Sequence, residues 1–128
     1  MKDVLAYKKI HLKILVRADP ERVYDAIATP GSLETWFTKS AVLPEKLKVD
    51  EALRPERLVF QAERSLDTTT VEISFEEVDD GTFVELAEHG YTSMNTQASI
   101  HRVSAWARIL TSMKVSIERE RPSYASSL

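Results

Sequence analysis

The feature that most constrains this chain lies near its end, in residues 96–118, TQASIHRVSAWARILTSMKVSIE. Val103, Trp106, Leu110, Met113 and Ile117 recur at spacings of 3, 4, 3 and 4. Ile100, Ala107 and Ile109 widen the stripe, so the pattern predicts one long amphipathic helix. The segment holds no Gly or Pro, and Pro122 lies just beyond it, as expected after a helix stop. A helix of this length spans about 30–35 Å. Its apolar face needs an equally long surface to lie on, and what precedes it reads mostly as strands. The expectation is a sheet curled around this helix.

The strand readings rest on alternation. In residues 9–17, Ile10, Leu12, Ile14 and Val16 alternate with Lys9, His11, Lys13 and Arg17, with Leu15 the exception, the mark of a half-buried strand. Asp19-Pro20-Glu21 then opens a short helix: Asp19 as cap, Pro20 at the first position, Glu21 at the positive end of the dipole. Val23, Ala26 and Ile27 form its inner side. Thr29-Pro30-Gly31 breaks it, and Ser32 can cap a second helical turn with Leu33, Trp36 and Phe37 on its apolar side. Residues 46–52 read as a short strand, 57–63 as another, 69–78 as a third and 83–89 as the last. Asp80-Gly81 marks a tight turn, and Asn95 or Thr96 serves as cap for the long helix. Strands and helices are segregated along the chain, which argues α+β.

Composition narrows the function classes. The 128 residues fit one domain. Seventeen basic residues stand against 20 acidic ones, a net charge of −3, whereas a nucleic-acid binder carries a basic excess. Cysteine is absent, so disulfides, thiolate metal sites and cysteine nucleophiles are excluded. No apolar run reads as a membrane span or signal segment, and the expected location is cytoplasmic.

Several local signatures then resemble one family. These are ADPERVYDAI at 18–27, PGSLETWF at 30–37, RPERLVF at 54–60, DGTFVELAEHG at 80–90, and Ala105-Trp106 followed by Leu110. In this order they resemble the START-like superfamily, within it the family related to the C-terminal domain of the activator of the Hsp90 ATPase. The resemblance covers nearly the whole chain. It implies a helix-grip fold: a curved antiparallel β-sheet around a long C-terminal α-helix, with two short helices after the first strand. Residues 1–128 would form a single START-like domain, with 1–7 and 119–128 as mobile ends. The chain departs from the family between Trp36 and Arg57, where a Gly-Gly-containing strand entry and a further strand are absent. Either the member is shortened or an internal segment is missing. A missing strand leaves an exposed edge that a second subunit could cover as a homodimer. Ala105 stands where the family has Gly.

The resemblance implies a hydrophobic cavity between sheet and helix. Its candidate lining residues are Trp36, Phe37, Phe60, Phe75, Leu86, Trp106, Leu110 and Met113, with His89, Glu88 and Tyr91 as candidate polar groups. The bland alternative is that the aromatics simply fill the core, and that His89 is a structural or surface residue. A His–Glu pair at 88–89 can do acid–base work or bind metal, but nothing supplies a third ligand, so no metal or cofactor is expected. The helix serines lack a nucleophile-elbow context, and no catalytic residue is assigned. The leading expectation is a non-enzymatic binding protein holding a small hydrophobic molecule. A protein-interaction module, with a chaperone as partner, comes next, and an enzyme using the same cavity third.

Overall fold

The computed structural model describes residues 9–38, 46–63, 68–90 and 96–119. The elements run β1 (Lys9–Val16), α1 (Pro20–Ala28), α2 (Pro30–Thr38), β2 (Lys46–Leu53), β3 (Arg57–Glu63), β4 (Thr68–Val78), β5 (Gly81–His89) and α3 (Thr96–Arg119). The strands form one antiparallel sheet in the order β1-β5-β4-β3-β2. This is the expected α+β helix-grip architecture.

Alternation decides which side chains face the helices. On β3, β4 and β5 the inner positions Leu58, Phe60, Ala62, Val71, Ile73, Phe75, Val84 and Leu86 are buried. Their sequence neighbours line the outer face. Helix α3 lies across the inner face and closest to β1, burying Trp106, Leu110, Met113 and Ile117. The widening of its stripe differs from expectation. Ile109 is buried as expected and Ala105 is buried as well, whereas Ile100 is 58% exposed and Ala107 is exposed. The small residue at 105 thus lies on the buried flank of the helix.

Local chemistry sets the helix starts. The Asp19 carboxylate accepts from the Arg22 backbone N–H at 2.9 Å, with Pro20 at the first helical position. Helix α2 begins at Pro30, ahead of the expected Ser32. The Leu33 N–H already reaches the Thr29 carbonyl at 2.8 Å, and the Thr29 hydroxyl meets that of Ser32. Asn95 lies outside the described residues, and Thr96 is the first residue of α3.

The β4–β5 connection is tighter than the sequence suggests. Val78 pairs with Gly81, leaving Asp79 and Asp80 as the loop. Gly81, at φ +150°, opens β5. A Cβ there would lie 2.2 Å from the Val16 carbonyl oxygen, so close approach to β1 excludes a side chain.

Candidate functional site

Beneath α3 the apolar core is interrupted once by a carboxylate. Glu88 is fully buried, the next inward residue of β5 after Val84 and Leu86. Among the described residues, three donors converge on it. The Trp106 indole N–H donates to Oε1 at 2.7 Å, and the Thr69 hydroxyl of β4 donates to Oε2 at 2.5 Å. Arg102 Nη1 reaches the same Oε2 at 3.0 Å, with only 12% of its side chain exposed. Arg102 and Trp106 are one helical turn apart, so one carboxylate holds two successive turns of α3 to two strands. A buried carboxylate persists only when paired and hydrogen-bonded. Chemically this arrangement is a clamp that sets where the helix sits.

His89 does not share that site. Adjacent strand residues point to opposite faces, and His89 stands on the outer face with its Nε2 3.2 Å from Glu72 Oε2. The expected pairing of Glu88 with His89 in one polar pocket is therefore corrected by the pleat. His11 makes a similar outer-face pair with Glu85. Among the described residues no cluster of three or more potential metal ligands occurs.

The described candidate lining residues are largely core. Phe60, Leu86 and Trp106 are fully buried, and Leu110, Met113 and Phe75 nearly so. All six belong to one apolar cluster. Phe75 makes an edge-to-face contact with Tyr24, centroids 5.2 Å apart. Trp36 is half-buried, and its indole N–H donates to the Ala26 carbonyl at 3.0 Å. The Phe37 side chain and Tyr91 lie outside the described residues.

Among the described residues, open clefts lie away from the sheet–helix seam. One of about 420 Å³ runs between Trp36 and the outer flank of α3, at Thr111, Ser112, Val115, Ser116 and Arg119. Another, about 620 Å³, is polar and is lined by Arg17, Asp19, Arg22, Glu77, Asp79 and Asp80, among others.

The two edges of the sheet are finished differently. At the C-terminal end of β1, side chains of α3 bond the edge: Lys114 Nζ donates to the Leu15 carbonyl at 2.7 Å, and the N–H of Arg17, just past the strand, donates to Glu118 at 2.9 Å. Burial pushes the Glu118 carboxyl up. The Lys114 hydrogen bond, the Arg17 N–H and the charges of both residues outweigh that and hold it below the usual carboxylate range. At the other end, among the described residues, β2 pairs with β3 alone.

A bulge shapes this open edge. Leu47 faces Ala62 and Val49 faces Phe60, then the register shifts between Val49 and Glu51, and Ala52 faces Leu58. Opposed residues share a face, so Leu47, Val49 and Ala52 all lie on the inner, apolar side. Asp50 is the extra residue, accepting from Gln61 Nε2 at 2.6 Å. Beyond the reach of the core this apolar ledge is open: Val49 is 49% exposed, and Leu53 on the outer side is 51% exposed. The sequence shows the β2 alternation as far as Asp50 but not the bulge that returns Ala52 to the inner face.

The fold and its clamped helix define an α+β helix-grip domain. Among solved structures the chain is similar to Aha1 from Colwellia psychrerythraea, solved as a dimer, with 23% identity and TM-score 0.69 over 86% of this chain and 96% of that one. It is also similar to protein MLL2253 from Mesorhizobium loti, at 12% identity and TM-score 0.73 over 88% and 98%. DynU16, a protein of the dynemicin biosynthetic locus, aligns at 13% identity and TM-score 0.71, covering 91% of this chain and 49% of its own length. No protein-family model matches the chain, and no curated protein sequence matches it. At these identities the likeness establishes the fold. None of the described helices is long and apolar enough to cross a membrane.

Proposed function

We infer that this chain is a protein-interaction module that engages its partner through the open edge of its sheet at β2. The observation that carries the reading is the contrast between edges: Lys114 and Glu118 of α3 bond the C-terminal end of β1, while among the described residues β2 presents an unpaired flank with an apolar ledge. An exposed strand edge is a template for another strand. The clamp supports the same reading, because Glu88 is engaged in holding α3 and the aromatics beneath the helix are packed together. The solved Aha1 relative being a dimer is compatible with it, and a chaperone is one partner the family resemblance offers.

The test is a photo-crosslinking residue placed at Val49 and, separately, at Ile100, an equally exposed apolar position on α3. Discrete protein adducts in cells from position 49 but not from position 100 are expected. Equal adducts from both positions, or none from position 49, would remove the reading.

A second reading keeps the small hydrophobic ligand but moves it. The cleft between Trp36 and Val115, about 420 Å³, falls in the size range of small-molecule sites. Quenching of Trp36 fluorescence by an apolar ligand in a Trp106→Phe background would favour it; no change across a lipid and aromatic panel would exclude it.

A further inference from the structure

We propose that the partner at the β2 edge is a second copy of this chain, its β2 strand paired antiparallel about a two-fold axis through Val49. The proposal rests on the open-edge reading above and adds the identity of the occupant. It comes from the register of the strand itself. A two-fold axis perpendicular to a sheet keeps every side chain on its own face, and residues opposite each other must share a face. Without a bulge, Leu47 would meet the outward Glu51. With the Asp50 bulge, Leu47 meets Ala52 of the other copy on the inner face, and the two Val49 side chains meet on the axis. On the outer face Lys48 meets the Asp50–Glu51 pair, and the symmetry makes this contact twice.

Charges at a strand edge commonly keep it from pairing, but they do so by repelling like charges. Here each copy carries the cation on one side of the axis and the anions on the other, so antiparallel pairing brings opposite signs together. Lys48, Asp50 and Glu51 are all exposed. Glu51 already lies 3.3 Å from Arg57 Nε, and Lys48 of the other copy would add a second cation to that carboxylate. A single strand pairing buries less than the roughly 1,200 Å² of a stable interface. The dimer is therefore expected to form only as concentration rises, and to weaken with salt because its charge pairs are exposed.

Sedimentation velocity over a concentration series tests this, with circular dichroism confirming that each variant is folded. Wild type is expected to shift from monomer to dimer. Lys48→Glu and Glu51→Lys should each remain monomeric, because each places like charges across the axis. An equimolar mixture of the two variants should dimerise again, as should the double exchange. A wild type that stays monomeric throughout, single variants that dimerise like wild type, or a mixture that fails to recover the dimer would each overturn the proposal. A monomeric wild type with adducts to a different protein at position 49 would overturn this pairing and leave the open-edge reading standing. A monomeric wild type with no adducts would remove both.

Discussion

The indole N–H of Trp106 donates to the buried carboxylate of Glu88 at 2.7 Å, joining the middle of the gripped helix to the last strand of the sheet. Around that bond stand Arg102 and Thr69, so described residues from β4, β5 and α3 share one buried polar knot. Breaking such a pair by removing one partner leaves the other charge unpaired. Replacing Glu88 by Ala is expected to lower stability by about 3–5 kcal/mol, seen as a lower urea midpoint. Glu88→Gln should cost less, since the amide oxygen can still accept from the indole. Equal loss for both variants would count against the hydrogen-bond account.

Burial along α3 predicts a graded response. Met113 and Leu110 lie in the core, and truncating either to Ala should cost about 2–5 kcal/mol. Ile100, which the apolar stripe alone would place inside, is 58% exposed. Its replacement by Ala should stay within about 0.5 kcal/mol. Chemical denaturation of the three variants separates the structure's face from the face drawn by periodicity.

Gly81 answers to sterics. A Cβ at this position would meet the Val16 carbonyl oxygen at 2.2 Å, and the φ of +150° is costly for a side chain. Gly81→Ala should therefore destabilise by more than the roughly 1 kcal/mol gained where alanine fits. A thermal midpoint equal to wild type would contradict the close β1–β5 approach.

Acid should loosen the capped edge at β1. The Glu118 carboxyl is held below its ordinary value in the folded state, net of the opposing effect of burial. The Asp25 carboxyl is likewise lowered, first by its hydrogen bonds from Arg54. For a group with a depressed folded pKa, the stabilisation is present above the unfolded value. It is lost as pH falls through the folded one. Stability should thus decline as pH drops below the ordinary carboxylate range of about 4, and Glu118→Gln should flatten that decline. A variant with the wild-type acid slope would refute the assignment.

The sequence and the structure agree where one period runs uninterrupted. The 3-4 spacing from Val103 to Ile117 located the gripped helix, and alternation in β1, β4 and β5 located the sheet. The same alternation carried Val84, Leu86 and Glu88 to one face, but the adjacency of Glu88 and His89 suggested a pair that the pleat separates. Arg102 and Thr69 gave little warning. Arg102 is a turn before Trp106 and reads as a solvated residue until a buried acid is placed opposite it. The ledge on β2 was hidden for a different reason. A bulge changes the parity of a strand by one residue, and nothing in KLKVDEAL marks Asp50 as the extra one. Ile100 and Ala105 show the limit of helical periodicity, since small changes in roll decide which flank of a stripe is covered.

Central to the account is a sheet held by α3 at the C-terminal end of β1 and, among the described residues, open at β2. Hydrogen exchange of backbone amides, measured first in dilute protein, tests it most directly. The account predicts faster exchange along Lys46–Leu53 than along Arg57–Glu63, persistent protection of Arg17, and slowing along β2 as concentration rises. Protection of β2 equal to that of β3 in dilute solution would contradict it.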